Sequence, residues 1–312
     1  MLERHDIDQA FDRLHGGGPR FVRRTPLWRL PGEQLGVAAA EVWLKLEHLQ
    51  VGGSFKARGM MNRLLSQPLP ASGVIIASGG NAGIATAAAA QALGVRCEVF
   101  VPEVSPEAKR RRLRQLGAEV VVTGAAYADA YEACMARQRA TGALLTHAYD
   151  QPEVVAGAGT LAREIEEDVG LPDAVLVSVG GGGLIGGVSA WFEQRCRVVA
   201  LEPELAPTLY RAREAGRPVD VAVSGVAADS LGARRIGELG WALTQRHVRD
   251  ALLLPDADIA AARQTLWEEF RLAVEPAAAL GLAALRSGAW ATRAGERVCL
   301  VVCGANIDPA TL

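Results

Sequence analysis

Long apolar runs are missing from this 312-residue sequence: no stretch approaches the roughly 20 residues that a helix needs to span a bilayer. The N-terminal MLERHDIDQAFDRL is charged where a signal peptide would be hydrophobic. A strong charge of either sign is also missing, since the net charge is -2, and this argues against binding to nucleic acid or to an anionic membrane surface. We therefore expect a cytoplasmic protein whose partners are small molecules, with no nucleic-acid or membrane partner.

Lysine and paired cysteines are scarce as well. The chain has only three lysines, Lys45, Lys56 and Lys109, among 33 basic residues. Arginine serves as the general cation, so a lysine can mark chemistry that needs a neutral amine nucleophile. The five cysteines form no C-x-x-C pair. We therefore expect reduced thiols and neither a zinc site nor a redox pair.

Short β-branched runs alternate with alanine-rich or amphipathic segments from about residue 41, a pattern typical of an α/β protein with mostly parallel sheets. The predicted strands are VWLKLEH, GVIIAS, CEVFVP, AEVVVTG, AVLVSVG, RVVALEP and RVCLVVCG. One seven-stranded sheet is an alternative. Loops at Gly52-Gly53 and at residues 149–152 instead predict a small domain, residues 52–153, inserted in a large domain, residues 1–51 and 154–312.

The segment G-G-S-F-K-A-R-G, residues 52–59, follows a predicted strand and opens a predicted helix that Ser54 is suited to cap. Lys56 then lies in the first helical turn at the carboxyl edge of a sheet, where ligands of open α/β folds gather. The positive helix end lowers the pKa of the amine, as a Schiff-base lysine requires. Alone, the motif is more typical of a solvent-facing lysine on a surface helix, and the two motifs that follow change this interpretation.

Two glycine-rich turns follow predicted strands. A-S-G-G-N-A-G, residues 77–83, offers exposed amides for a carboxylate or phosphate, and Asn81 adds an orienting amide; a tight turn without a ligand is the alternative. Four consecutive glycines, residues 180–183, cost conformational entropy, so phosphate binding explains them better than packing alone. They form neither a Walker loop nor a spaced G-x-G-x-x-G. A last strand runs into Cys303, which by itself is typical of a buried core thiol.

Together, G-S-F-K-A-R-G, S-G-G-N-A-G, the four glycines and the terminal C-G-A-N resemble, in this order, the fold-type II pyridoxal-phosphate enzymes, and among them the serine/threonine dehydratases. The resemblance covers nearly the whole chain. T-P-L at residues 25–27, E-P at 202–203, A-D-S-L-G at 228–232 and V-E-P-A at 274–277 also agree. It implies two open, mostly parallel twisted sheets flanked by helices, similar to the tryptophan synthase β subunit, with the small domain inserted in the large one.

The resemblance also implies roles for individual residues. Lys56 would hold pyridoxal 5'-phosphate as a Schiff base and then act as the base for the α proton, with Ser54 near the reacting groups. Phe55 would lie against the cofactor ring, and Cys303 would face its pyridine nitrogen. The phosphate would be held by Gly180, Gly181, Gly182 and Gly183. The substrate carboxylate would be bound by Ser78, Gly79, Asn81 and Ala82, and Asn81 would also hydrogen-bond the ring hydroxyl.

Three positions depart from relatives within the family. Gly79 stands where related serine racemases place a second serine, so efficient racemisation is not expected. Ala82 replaces a histidine of racemases and biosynthetic threonine dehydratases, so the chain looks closer to the catabolic, mammalian-type serine dehydratases. The tentative cation ligands are Glu202, the carbonyl of Ala206, and Thr208 in place of an aspartate. One fewer carboxylate disfavours a divalent ion and leaves potassium or no metal.

The resemblance therefore predicts β-elimination of water and ammonia from L-serine and/or L-threonine, giving pyruvate or 2-oxobutyrate, by a homodimer. Because the sequence ends shortly after Cys303, we expect no regulatory domain of the kind that responds to isoleucine. The alternatives are action on another hydroxy amino acid such as 3-hydroxyaspartate, β-replacement, and a non-catalytic ligand-binding protein. The intact Lys56, Asn81 and glycine run argue against the last.

Overall fold

Two β-sheets organise the chain in the computed structural model, which describes residues 2–17 and 20–311. With strands numbered along the chain, the larger sheet has the spatial order β1 (Leu27–Pro31), β2 (Glu41–Lys45), β10 (Arg297–Val301), β7 (Ala174–Ser178), β8 (Arg197–Pro203) and β9 (Asp250–Leu254). Strand β1 is antiparallel to β2, and the other neighbouring pairs are parallel.

The smaller sheet is parallel throughout. Its spatial order is β5 (Glu119–Val122), β4 (Cys97–Val101), β3 (Val74–Ala77) and β6 (Leu144–Leu145). The prediction of an α/β fold with mostly parallel sheets flanked by helices is confirmed, and all seven predicted strands are present. The single seven-stranded sheet is excluded. The domain boundaries at residues 51/52 and 153/154 stay a prediction.

The described residues contain eleven α-helices. They are α1 (Arg4–His15), α2 (Lys56–Leu65), α3 (Asn81–Leu93), α4 (Glu107–Gln115), α5 (Tyr127–Thr141), α6 (Pro152–Val169), α7 (Gly183–Phe192), α8 (Thr208–Ala215), α9 (Glu238–His247), α10 (Asp256–Phe270) and α11 (Pro276–Arg286). None of these helices combines the length and the apolar character that crossing a bilayer requires.

The central strands are buried on both faces. Strands β3, β4 and β7 are buried at every position, which explains why they read as largely apolar runs, interrupted in β4 by Glu98, rather than as alternating ones. The larger sheet packs around one hydrophobic cluster and the smaller sheet chiefly around another. Strands β2, β3, β7 and β10 each lead at their carboxyl ends into one of the four sequence motifs, and this geometry gathers the motifs.

Candidate active site

Lys56 is the first residue of α2 and its amine is buried. The Nζ atom donates a hydrogen bond to the carbonyl oxygen of Ala148 at 2.6 Å and lies 5.0 Å from the ring centroid of Phe55. Burial lowers the pKa of Lys56 to about 8, although the nearby Cys303 and Glu275 act in the opposite direction. A useful fraction of this amine is therefore neutral, and nucleophilic, near physiological pH.

Ser54 does not cap α2, contrary to the prediction. Phe55 occupies the cap position, and no side chain caps the helix. Ser54 is extended, with φ -161° and ψ 159°, and pairs with Gly304 in an isolated antiparallel bridge. Its buried hydroxyl finds no hydrogen-bond partner among the described residues. Because such a group costs about 1–3 kcal/mol when left unpaired, it is suited to a bound molecule beside Lys56.

The first and fourth motifs run side by side. The amide of Phe55 donates to the carbonyl of Cys303 at 3.1 Å, and the amide of Ala305 donates to the carbonyl of Gly53 at 2.9 Å. Cys303 is 5% exposed. Burial, together with the charge of Glu275, raises the pKa of the Cys303 thiol, which therefore stays neutral. The neutral thiol of Cys303 therefore lies in a segment that is hydrogen-bonded to the segment of Lys56.

A buried ion cluster lies under α2. The guanidinium of Arg58 contacts Glu47 at 2.7 Å and Glu164 at 2.8 Å, and the Nζ atom of Lys45 contacts Glu164 at 2.6 Å. All four side chains have 0% exposure. Two cations and two carboxylates balance each other, and Thr25 donates a further hydrogen bond to Glu47. The cluster ties the helix that begins at Lys56 to the segment after β2 and to α6.

The glycine run forms the turn from β7 into α7. Gly182 has φ +87°, and a Cβ on Gly181 would collide with the ring of Tyr149. The first α7 hydrogen bond runs from the amide of Gly186 to Gly182 at 2.9 Å, so the amides of residues 183–185 lack intrahelical acceptors. The turn therefore offers donors where no side chain fits, as phosphate binding requires. Tyr149 directly follows Ala148, the acceptor of the Lys56 hydrogen bond.

The second turn leads from β3 into α3. The first α3 hydrogen bond runs from the amide of Ile84 to Gly80 at 3.0 Å, which leaves the three amides before it without intrahelical acceptors. Ser78, Gly79 and Asn81 are half-buried, and Ala82 is buried. The predicted carboxylate-binding residues therefore lie together at one helix start.

Two residues with no predicted role also belong to this region. Glu275, directly before α11, accepts hydrogen bonds from the side-chain nitrogen of Asn81, and Asn306 hydrogen-bonds both of them. In the sequence, Glu275 appeared only within V-E-P-A, residues 274–277, and Asn306 only as the last letter of C-G-A-N. Their meeting could only be found from the structure.

Two of the predicted cation ligands, Glu202 and Thr208, already have hydrogen-bond partners within the protein. One oxygen of Glu202 accepts from the amide of Leu209 at 2.7 Å and the other from the amide of Tyr210 at 2.8 Å. The hydroxyl of Thr208 lies 2.9 Å from Glu202 and 2.6 Å from the carbonyl of Gly180. Among the described residues, no three acidic, histidine or cysteine side chains cluster as metal ligands do. The residues do not fit a divalent ion.

Comparison with known proteins decides the family. Residues 19–304 match the sequence profile of a family described as "Pyridoxal-phosphate dependent enzyme". The chain belongs to this family. The predicted family and the predicted cofactor, pyridoxal phosphate, are confirmed.

Three similar proteins show how this pyridoxal-phosphate enzyme relates to others. An L-threonine ammonia-lyase of Geobacter sulfurreducens is 37% identical over 100% of this chain and 77% of its own length. A beta-hydroxyaspartate dehydratase of Paracoccus denitrificans is 33% identical over 92% of each chain. The structure of maize serine racemase superposes with a TM-score of 0.92 at 27% identity, covering 99% of this chain and 95% of that one.

The residues of the candidate site fit the cofactor of this pyridoxal-phosphate enzyme. Lys56 supplies a buried amine with a lowered pKa, which is the group that a Schiff base needs. The glycine turn supplies amides and no side chains where a phosphate would lie. The hydroxyl of Ser54 supplies a buried polar atom without a partner among the described residues. Ser54 and Lys56 belong to one segment and the glycine turn to another far along the chain, so the arrangement is not a by-product of one local turn.

Proposed function

We propose that this enzyme is an ammonia-lyase that converts L-serine to pyruvate and L-threonine to 2-oxobutyrate, with release of ammonia. The observation that carries the proposal is the buried amine of Lys56, held against Ala148 beside the glycine turn. The L-threonine ammonia-lyase that is 37% identical over the full chain supports the same reaction. Elimination removes one water from the amino acid, and hydrolysis of the product consumes one water as the nitrogen leaves as ammonia. The net reaction is therefore deamination.

The residues of the site are assigned different roles. When bound, pyridoxal phosphate withdraws electrons from the α carbon of an attached amino acid, which lets the α proton and the β-hydroxyl leave. Lys56 would hold the cofactor covalently and then accept the α proton at Nζ, because its pKa of about 8 leaves part of it neutral. The phosphate would be held by Gly180, Gly181, Gly182 and Gly183. The substrate carboxylate would be bound at the α3 start by Ser78, Gly79, Asn81 and Ala82.

Cys303 supports elimination over transamination. We place its thiol opposite the pyridine nitrogen, with Phe55 against the ring. Burial keeps this thiol neutral, so it cannot stabilise a protonated ring nitrogen as a carboxylate would. The negative charge that would remain at the α carbon after proton loss would then be less delocalised into the ring. Prompt loss of the β-hydroxyl would be favoured over transamination. Ser54 would donate or accept a hydrogen bond near the reacting groups.

Two other reactions have support and are weaker candidates. The beta-hydroxyaspartate dehydratase that is 33% identical supports a substrate with a second carboxylate. The fold similarity to maize serine racemase supports racemisation, but a second proton donor is needed on the opposite face of the α carbon, and Gly79 has no side chain to supply one. β-Replacement remains an alternative on the same fold.

The test is an assay of the purified enzyme with L-serine, L-threonine and L-threo-3-hydroxyaspartate in parallel. We expect 2-oxo acid and ammonia in equal amounts from serine or threonine, together with a visible cofactor band. A cofactor band that responds to these amino acids without product would contradict the proposed reaction. Product from hydroxyaspartate alone would transfer the proposal to that substrate.

The proposal extends to the location, the assembly and the domain organisation of the enzyme. We propose a cytoplasmic homodimer that takes a small amino acid and no macromolecular substrate. We also propose that residues 52–153 form a small domain inserted between residues 1–51 and 154–312. The four strands of the smaller sheet all come from this range, which supports the division.

The Lys56 pKa gives a pH dependence that can be measured on the cofactor-free enzyme. Folding lowers the pKa of this base from 10.5 to about 8, so its neutral form appears at lower pH than in a free lysine. We expect the rate of combination with pyridoxal phosphate to rise with pH, to be half-maximal near pH 8 and then to level off. Stopped-flow absorbance measures this rate. A rate still rising at about pH 10, as for an unshifted lysine, would contradict the assignment.

Thr208 gives a prediction about cations. Because protein donors already satisfy Glu202, magnesium and calcium should leave the melting temperature of the wild type unchanged. Potassium should also have little effect. Thr208→Asp places a second carboxylate beside Glu202 and should lower the melting temperature by several degrees, an effect of about 1–2 kcal/mol. Calcium should then restore it.

Differential scanning calorimetry with and without each cation checks this prediction, with Thr208→Ser as the matched control because it keeps the hydroxyl. A wild type that calcium stabilises would show that the segment does bind a divalent ion.

A further inference from the structure

The side-chain amides of Asn306 and Asn81 form a chain of hydrogen bonds that starts at a backbone carbonyl. The Nδ2 atom of Asn306 donates to the carbonyl of Gly52 at 2.7 Å and to the Oδ1 atom of Asn81 at 2.7 Å. An amide nitrogen has two hydrogens, so both are used. The chain joins the first, second and fourth sequence motifs.

The chemistry of these groups sets the orientation of both amides. The carbonyl of Gly52 can only accept, so Asn306 must present its nitrogen there. The same nitrogen then requires an acceptor on Asn81, which places Oδ1 of Asn81 toward Asn306. The nitrogen of Asn81 must therefore point the other way, and there it meets the carboxylate of Glu275 at 2.9 and 3.0 Å.

One hydrogen of Asn81 remains after these contacts. The two hydrogens of an amide diverge too widely for both to reach one carboxylate, so a single N–H serves both oxygens of Glu275. The amide of Asn306 also donates to Glu275 at 3.1 Å, which fixes the carboxylate. Asn81 is half-buried and its second N–H is available to a ligand in the site.

The packing around this network leaves little space for another arrangement. Glu275 is 4% exposed. A Cβ on Gly304 would collide with its carboxylate, and a Cβ on Gly53 would lie 2.7 Å from the Oδ1 atom of Asn306. Gly53 also has φ +76°, which disfavours a side chain. Both glycines thus leave room for the network.

We infer that Asn306 and Glu275 are positioning residues, which hold the amide of Asn81 so that its nitrogen donates to the oxygen of the ring hydroxyl of pyridoxal phosphate. The inference rests on the proposed role of Asn81 at that oxygen. It does not depend on which amino acid the enzyme deaminates. Glu275 acts here as a hydrogen-bond acceptor behind Asn81, whereas a purely electrostatic role would act through its charge on Lys56.

Two isosteric substitutions separate these roles. Asn306→Asp replaces the shared nitrogen by an oxygen that faces two acceptors, so Asn81 loses its fixed orientation. Glu275→Gln removes the charge but keeps an oxygen that can accept from Asn81. Orientation therefore predicts a large effect of the first substitution and a small effect of the second, whereas a purely electrostatic role of Glu275 predicts a large effect of Glu275→Gln.

The experiment measures the dissociation constant of pyridoxal phosphate by fluorescence titration of the cofactor-free enzyme, and the absorption maximum of the bound cofactor. We expect Asn306→Asp to weaken binding about tenfold and to shift the absorption maximum, and Glu275→Gln to change binding less than about threefold. Asn62→Asp is the matched control: Asn62 lies in α2, and its amide bonds to Arg13 and Glu153. This control should keep the dissociation constant and the spectrum of the wild type.

Circular dichroism shows whether each variant folds, and Asn306→Ala replaces Asn306→Asp if the latter does not. The alanine variant should weaken binding at least about threefold. Unchanged affinity and spectrum in a folded Asn306 variant would overturn the inference, as would a larger effect of Glu275→Gln. Because both readouts are taken without substrate, a wild type that binds the cofactor but forms no oxo acid would count against the proposed reaction alone.

Discussion

Lys56→Ala is expected to lower kcat for oxo-acid formation by about 10⁴-fold or more, because one residue is assigned both the covalent attachment of the cofactor and the proton transfer. Neither of the other two lysines is placed to replace it, because Lys45 is paired with Glu164 and Lys109 with Asp229. The fold should persist, because the only hydrogen bond of the side chain given by the structure is to Ala148. The oxo-acid assay measures the loss, and circular dichroism reports the fold.

Lys56→Arg separates charge from chemistry in the same experiment. Arginine keeps the positive charge but cannot become a neutral nucleophile, so this variant should be as inactive as Lys56→Ala. Lys109→Arg is the control: Lys109 lies on α4 and pairs with Asp229 at the surface, and its substitution should keep activity within about twofold. Turnover near the wild-type level in Lys56→Arg would refute the mechanism.

Arg58→Met is expected to destabilise the protein by about 3–5 kcal/mol, because it leaves the buried carboxylate of Glu47 without its cation and deprives Glu164 of one of two. Methionine roughly fills the volume of the arginine stem, so lost packing contributes little. The midpoint of urea unfolding should fall accordingly. Activity should fall too, since α2 begins at Lys56, two residues away.

The exposed ion pair of Arg24 provides the comparison. Arg24 contacts Asp168 and Glu167 at the surface, and Arg24→Met should cost about 1 kcal/mol or less. Equal unfolding midpoints for the wild type and Arg58→Met would show that the cluster does not stabilise α2.

The three lysines show what composition can and cannot predict. Their scarcity drew attention to Lys56, yet Lys45 is fully buried and Lys56 as a residue is half-buried. The difference lies in the partner: Lys45 has the carboxylate of Glu164 at 2.6 Å, whereas the hydrogen bond of Lys56 goes to a carbonyl oxygen. A carboxylate holds an amine in its charged form, and a carbonyl does so far less. Sequence alone cannot reveal these partners, because they come from distant segments.

The fold was predictable where the sequence pattern was strong. Strands β3 and β7 are buried on both faces and read as largely apolar runs. The three strands that were not predicted lie at sheet edges. Strand β1 contains Arg29 and ends at Pro31, β6 has only two residues, and β9 is half-buried over most of its length. Edge strands carry a weaker hydrophobic signal because one side meets solvent.

The site was predictable in its loops and less so in its supporting contacts. Motif order alone indicated the lysine, the glycine turn and the α3 start. The predicted cap by Ser54 was wrong, because Ser54 pairs with Gly304 from the far end of the chain. The hydrogen bonds of Glu275 and Asn306 to Asn81 also join residues that are far apart in sequence. Local propensity carries no information about contacts of this kind.

The central claim is that Lys56 holds the cofactor, and reduction of the purified enzyme with borohydride followed by peptide mass mapping tests it directly. Reduction makes the link between cofactor and lysine permanent, and with three lysines the assignment is unambiguous. The account predicts one pyridoxyl group per chain on the peptide that contains Lys56, with Lys45 and Lys109 unmodified. A label on either of those two, or a cofactor-loaded enzyme with Lys56 unlabelled, would contradict it.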